Sequence, residues 1–446
     1  MNGATAEFIR AHADDDVRLL ALKGTKDPDI DLPFALDQIA GRQTARRKLP
    51  TWAASDGIIF PPHLSMEQCS SEQTARYKAG VVGGTGVRGY GSTRMVDLTG
   101  GFGVDFSLMA QSFDEAVYVE RNPQVCDIAR HNFDVLGLNA KVVCSDAEDY
   151  LRQMPRVNLI YIDPARRDSQ GQRTYGISDC TPDVVALRDL LMEKADRVLI
   201  KLSPMLDWRK AVSDLGETHV SEVHIVSVEN ECKELLIEET IQDTGLRVSC
   251  VNILHDNTIE RFVAHTTTNS HSSPLVREGL MENLEGLYLY EPNASIMKAG
   301  CFAEVSEAFG VSQLAPNSHI FVSQGDPPPV GPPPALPKGR ELLPTPLSPS
   351  EEVSPPLPRG RGWGRVSWGR VFRIETVTTL NKRELRTALA GITQANITVR
   401  NFPLTVAQLR QRLKLNEGGS TYIFATTLTD RRHVLLICRK TPTSVY

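Results

Sequence analysis

Met95-Val96-Asp97-Leu98-Thr99-Gly100-Gly101-Phe102-Gly103 is the stretch whose reading decides the fold. Its opening run, Met95–Leu98, suits a strand buried on both faces of a parallel sheet. Three glycines in four positions follow, then an amphipathic segment, Val104 to Ala110. Glycines let the backbone turn sharply and approach a ligand with no side chain in the way. The amides at the start of the following helix favour an anionic group such as a carboxylate. Asp97 sets an acceptor inside the turn, where it can orient amides or bind an ammonium. This strand–turn–helix reads as a ligand site.

Working outward, short apolar runs alternate with amphipathic stretches. The runs are Ala116–Val119, Lys141–Cys144, Leu159–Ile162 and Val198–Leu202. Asn122 can cap a helix, Pro123 fits its first turn, and Gly137 can end it. Thr181-Pro182 is expected to start another helix in the same way. Such alternation predicts a doubly wound α/β sheet. The block ends differently. Val223–Glu229 and Glu234–Glu238 leave no room for a crossover helix, so they must pair antiparallel. Dinucleotide dehydrogenases usually finish with another parallel unit.

Polar residues gather at the strand ends. Glu120 closes the second strand seventeen residues after Gly103, where a carboxylate can accept both hydroxyls of a ribose. Ser145-Asp146-Ala147 closes the third. Asp146 could hold a base amino group there, and capping of Ala147–Gln153 explains it nearly as well. The fourth strand ends in Asp163-Pro164-Ala165-Arg166-Arg167, at the crevice where open α/β sheets bind ligands. A second glycine-rich stretch, Gly84-Thr85-Gly86-Val87-Arg88-Gly89, follows no strand and opens no helix. It is rejected as a nucleotide site.

The chain has 446 residues, 41% apolar and 23% charged. That favours several soluble domains over one. No apolar stretch of about 18 residues suggests a membrane span, and no secretory leader is visible. The eight cysteines show no CxxC, which argues against a zinc-finger spacing or a disulfide framework and suggests a reducing cytoplasm. No metal-ligand pattern is expected. From Arg361 to Tyr446 the chain carries 15 Lys+Arg against 4 Asp+Glu, whereas the remainder carries 34 against 50. A small basic module on an acidic body suggests a polyanion partner. Thirteen of the 28 prolines lie between Pro327 and Pro358, as in a linker that buries no core.

Together these features resemble the class I S-adenosylmethionine-dependent methyltransferases. The likeness rests on Asp97, Gly101-Phe102-Gly103, Glu120, Asp146, Asp163-Pro164 and the closing hairpin, and it covers about residues 76–240. More specifically, the chain is similar to a bacterial family with a ferredoxin-like insert and a C-terminal THUMP-like domain. Phe34-Ala35-Leu36-Asp37-Gln38-Ile39-Ala40-Gly41-Arg42-Gln43, Tyr290-Glu291-Pro292-Asn293-Ala294 and Val399-Arg400-Asn401-Phe402-Pro403-Leu404 carry that likeness. It implies a helical region over 1–76, a Rossmann-like catalytic domain over 77–243 and a ferredoxin-like α+β domain over 244–324. A proline-rich linker over 325–368 and a basic THUMP-like domain over 369–446 complete it.

The resemblance implies S-adenosyl-L-methionine as cofactor, held by Asp97, Thr99, Gly100, Gly101, Gly103, Glu120, Asp146, Ala147 and Asp163. It implies RNA as substrate, with no membrane partner. Asp163 would receive a hydrogen bond or proton from the acceptor, and Arg166 and Arg167 would hold a phosphate. Two departures stand out. Ala165 and Arg166 replace the proline and base-stacking aromatic of the exocyclic-amine methyltransferases. No Pro-Cys follows the fourth strand, so the covalent route to 5-methylpyrimidines lacks its nucleophile. The alternatives are a small-molecule or protein methyltransferase, or a non-catalytic RNA-binding scaffold.

Overall fold

The computed structural model describes residues 2–61, 63–83, 92–165, 176–241, 245–265, 275–276, 283–325, 365–366 and 368–441. The chain forms two compact units. One comprises Met1–Val223 with Lys233–Leu246, the other His224–Cys232 with Arg247–Tyr446. Arg166, Arg167, the rejected loop Gly84–Gly89 and most of the proline-rich stretch lie outside the described residues.

The first unit opens with helices, including Gly3–Ala11, Val17–Lys23, Leu32–Lys48, Pro50–Ala54 and Glu72–Gly83. Short polar side chains start three of them. Asn2, Asp16 and Asp31 accept from amides of the first turn, which satisfies donors the helix itself leaves unpaired. Gln38 is buried and grips the backbone of Phe60 twice: its Nε2 donates to the carbonyl and its Oε1 accepts from the amide, both at 2.8 Å. Trp52, Phe60 and Met66 share one apolar cluster with Phe102 and Val104. The helical region therefore packs directly on the glycine turn.

One sheet includes β1 (Arg94–Asp97), β2 (Glu115–Glu120), β3 (Lys141–Cys144), β4 (Val157–Ile162), β5 (Ala195–Leu202), β6 (Val220–Val228) and β7 (Glu231–Thr240). Their order is β3-β2-β1-β4-β5-β7-β6. The first five run parallel and β7 runs antiparallel to β5. Glu229 and Asn230, both at positive φ, join β6 to β7, which suits a tight hairpin turn. This is a Rossmann-like sheet with a reversed final hairpin. One expectation needs correcting. Thr181 starts no helix; its backbone exchanges hydrogen bonds with Ala165 at 2.8 and 2.9 Å. The helix begins at Val184, and the Asp183 carboxylate caps it.

In the second unit, β8 (Arg247–Ile253) pairs antiparallel with β9 (Ile259–His265). A second sheet holds β10 (Tyr288–Pro292), β11 (Ser312–Gln313), β12 (Phe321–Ser323), β13 (Arg365–Val366), β14 (Gly369–Thr378), β15 (Asn396–Arg400), β16 (Thr421–Thr427) and β17 (His433–Lys440). Its order is β11-β12-β10-β14-β17-β16-β15, with β13 on β14. The linker read from composition is too long at its end. Arg365–Val366 pairs with β14, and Trp368 is fully buried, stacked on Tyr290 and Phe309. Proline density marks where a core stops, but a tryptophan in a stretch rich in glycine and arginine gives no warning that it resumes. The Tyr290–Ala294 and Val399–Leu404 segments meet here: buried Glu291 pairs with both Arg370 and Arg400.

Candidate functional site

The carboxyl ends of β1, β2 and β4 place Asp97, Glu120 and Asp163 on one edge of the sheet. The turn after β1 is tied to both neighbours. The Leu98 amide donates to Tyr161 of β4 at 3.0 Å, and the Gly100 amide to Val119 of β2 at 2.8 Å. Inside the turn, the Thr99 amide donates to Asp97 Oδ1 at 2.9 Å. The Gly101 amide donates to Glu120 Oε2 at 3.1 Å, while Glu120 Oε1 accepts from the Asn122 amide at 2.9 Å. Thr99 Oγ1 then accepts from the Asp163 amide at 2.6 Å. One chain of hydrogen bonds thus links Glu120, the glycine turn and Asp163.

The three glycines do different jobs. A Cβ on Gly100 would sit 2.1 Å from the Tyr118 ring, and one on Gly103 would sit 2.8 Å from the Phe133 ring. Tyr118, Phe133 and Phe106 form an aromatic cluster under the turn. Gly100 and Gly103 are therefore demanded by packing. Gly101 is different: with φ +53°, a Cβ there would meet nothing nearer than the Thr99 carbonyl at 3.8 Å. Its open side is where a ligand can approach the backbone.

Four carboxylates crowd this edge. Asp97 is buried, and burial raises its pKa well above the carboxylate norm. Its bond from the Thr99 amide opposes the shift; the negative charges of Asp105, Asp163 and Glu120 add to it. The set of acceptors fits a nucleoside with a cationic head. Glu120 offers acceptors for sugar hydroxyls, Asp97 offers one for an ammonium, and a bound positive charge relieves the crowding of acids. These residues fit S-adenosylmethionine.

Asp146 and Ala147 stand one strand away. The Ser145 amide donates to the Glu120 carbonyl at 3.0 Å, so they adjoin Glu120. The Asp146 side chain is committed to the cap, accepting from Glu148 at 2.9 Å.

Behind Asp163 lies a set of charges that sequence reading did not assemble. Lys201, on β5, pairs with Asp163. Lys78, fully buried on the helix before β1, lies 2.6 and 2.7 Å from the two oxygens of Glu234 on β7. It also sits 3.2 Å from Asp105 Oδ1. Asp105 Oδ2 accepts from Ser70 at 2.7 Å and from Tyr161 at 2.8 Å. Burial disfavours the charge on Lys201, but the carboxylates of Asp163, Asp105 and Glu234 outweigh it and raise its pKa. Burial likewise opposes ionisation of Asp105, and Lys78 and Lys201 overcome it, so that pKa falls. From the sequence, Lys201 at the fifth strand could line the pocket or simply end the strand. Lys78, Asp105 and Glu234 carried no signal, because a charged residue in an amphipathic helix or a hairpin normally faces water.

Two domain models match stretches of the chain. Residues 288–327 match the model of a ferredoxin-like domain, and residues 369–440 match a THUMP domain-like model. A protein from Mycobacterium tuberculosis, named an uncharacterized S-adenosylmethionine-dependent methyltransferase, is 24% identical over 315 residues. That match spans 70% of this chain and 77% of the relative. A crystal structure from Porphyromonas gingivalis W83, assigned as a methyltransferase, is 30% identical with a TM-score of 0.76. It covers 98% of this chain and 97% of its own. The class I sheet with its reversed hairpin, the acidic edge and this near full-length likeness agree: the chain belongs to the S-adenosylmethionine-dependent methyltransferases that carry a ferredoxin-like and a C-terminal THUMP-like domain.

Proposed function

We propose that this enzyme transfers a methyl group from S-adenosylmethionine to RNA. Asp97, Thr99, Gly100, Gly101 and Gly103 form the cradle, Glu120 takes the sugar hydroxyls, and Asp146 and Ala147 border the base. Asp163 faces the acceptor and takes its hydrogen bond. Arg166 and Arg167 follow it in the chain and hold a phosphate of the substrate. The bound cofactor supplies an already activated methyl group on a sulfonium. The residues therefore mainly position the acceptor and exclude competing geometry.

One observation carries the reading. The hydrogen bonds Glu120–Gly101 and Thr99–Asp163 make the sugar-side and acceptor-side carboxylates parts of a single rigid turn. RNA is supported by the C-terminal charge and by the THUMP domain-like match. Helices Lys382–Ala388 and Val406–Leu413 pack on one apolar cluster through Leu385 and Leu409. Their exposed positions include Lys382, Arg383, Arg386 and Arg412, a cationic surface suited to phosphates.

The test is transfer of labelled methyl from the cofactor to RNA isolated from cells lacking the protein. Label enters RNA with the wild-type chain and not with Asp163→Ala, which still binds cofactor. Filter binding of that RNA weakens steeply as salt rises. Full transfer by Asp163→Ala, or salt-insensitive binding, contradicts the proposal.

A further inference from the structure

The charges behind Asp163 bear on which atom receives the methyl group, taking RNA methylation as read above. Asp163 is not a lone carboxylate. Its Oδ2 is paired with the Lys201 ammonium. The two side chains are 36% and 13% exposed, so the pair reaches the crevice. Lys78 and Glu234 are sealed beneath, at 0% and 4%. The order is alternating: Glu234 and Asp105 flank Lys78, and Lys201 feels Asp163, Asp105 and Glu234 together.

Each class of acceptor asks for a different environment. A base amine wants an aromatic clamp on the target base; here Ala165 follows Pro164. A ring carbon wants a thiolate. Cys69, whose environment includes Lys201 and Asp105, is raised by burial to about 11 and stays a thiol. A hydroxyl has a proton too tightly held to leave unaided. It needs a cation beside the oxygen as negative charge develops and a carboxylate within reach of the proton. Lys201 and Asp163 offer both on touching atoms.

We infer that the acceptor is a hydroxyl, the ribose 2′-oxygen of RNA, and that Lys201 is a catalytic residue lying against that oxygen. The 2′-hydroxyl is the one that every internal RNA residue carries. In the step, the oxygen bonds to the methyl carbon as the carbon–sulfur bond breaks, its electron pair staying on sulfur. The hydroxyl proton passes to Asp163 and on to water at its exposed side. Lys201 keeps its protons throughout and stabilises the oxygen by charge. Lys78 and Glu234 are positioning residues, which hold Lys201 in place by balancing the buried acids.

The experiment compares RNA from cells that lack the protein and from the same cells supplied with the full chain, wild-type or Lys201→Met. RNA is digested and its nucleosides are resolved by tandem mass spectrometry, which places a methyl on sugar or base. Alkaline hydrolysis gives an independent readout, since a 2′-O-methyl blocks cleavage of the adjacent phosphodiester. Calorimetry with S-adenosylhomocysteine and a thermal melt report the integrity of each chain. The account requires a sugar-borne methyl and an alkali-resistant linkage with the wild-type chain. With Lys201→Met it requires a loss of about 100-fold or more, while S-adenosylhomocysteine still binds. A base-borne methyl overturns the hydroxyl acceptor and leaves RNA methylation standing. Unmethylated RNA despite bound S-adenosylhomocysteine overturns both. Undiminished 2′-O-methylation by Lys201→Met removes Lys201 from the step. If that variant fails to melt cooperatively, the position of the wild-type methyl alone decides the acceptor.

Discussion

Replacing Lys78 by methionine keeps the length of the side chain and deletes its charge. The native ammonium has no solvent exposure and lies within 2.7 Å of both Glu234 oxygens and 3.2 Å from Asp105. Removing one partner of a buried pair leaves the other charge unpaired, at a cost of about 3–5 kcal/mol. Against a typical domain stability of about 5–15 kcal/mol this is severe. At roughly 2–4 °C per kcal/mol, the melting temperature should fall by roughly 6–20 °C. The sign with pH follows from the orphaned acid. Burial already raises the pKa of Glu234 with Lys78 present, and loss of the ammonium raises it further. A folded-state pKa above the unfolded one favours folding below the unfolded value, about 4.3, and that advantage is lost as pH rises through the folded value. The deficit of Lys78→Met should therefore be small near pH 5 and full near pH 8. Adding Glu234→Met should recover most of the loss. Thermal melts of the three chains at both pH values decide the matter. A deficit under about 1 kcal/mol, or one larger at pH 5 than at pH 8, refutes a tightly buried pair.

The glycines give a paired prediction. Gly100→Ala drives a methyl into the Tyr118 ring and should cost about 1–3 kcal/mol by overpacking, read as a lower melting temperature. Gly101→Ala adds backbone strain of about 1–2 kcal/mol but should chiefly weaken S-adenosylhomocysteine, by at least about tenfold. Asp97 should couple binding to protons. Its raised pKa means that a cationic ligand displaces a proton, so affinity should rise with pH up to the free-enzyme pKa. Calorimetry in buffers of different ionisation heat would register the released proton, and its absence counts against an ammonium on Asp97. Trp368→Ala should cost about 3–5 kcal/mol, measurable by denaturation of the full chain; a neutral effect would place Trp368 outside the core.

The alternation of strands and helices was legible because consecutive apolar runs and helix-cap signals recur along this part of the chain. The reversed hairpin was legible from the shortness of the link between its strands. Asp97, Glu120 and Asp163 were legible because strand ends on one edge of a parallel sheet converge wherever the chain wanders between them. The charges behind Asp163 were not. Lys78 precedes β1, Asp105 follows the glycine turn and Glu234 lies in the hairpin, so only tertiary packing makes them neighbours. The packing of Tyr118 and Phe133 against Gly100 and Gly103 was not legible either, because these rings come from elements distant in the sequence. β15 and the helix Lys382–Ala388 went unseen because both are short and dominated by polar residues.

The cradle is tested most directly by titrating S-adenosylhomocysteine into the full chain and into Glu120→Ala. The account predicts one molecule bound per wild-type chain and an affinity about 10- to 100-fold weaker in the variant, the worth of hydrogen bonds to a charged acceptor. Equal affinity in the two proteins, or no heat of binding in either, would contradict it.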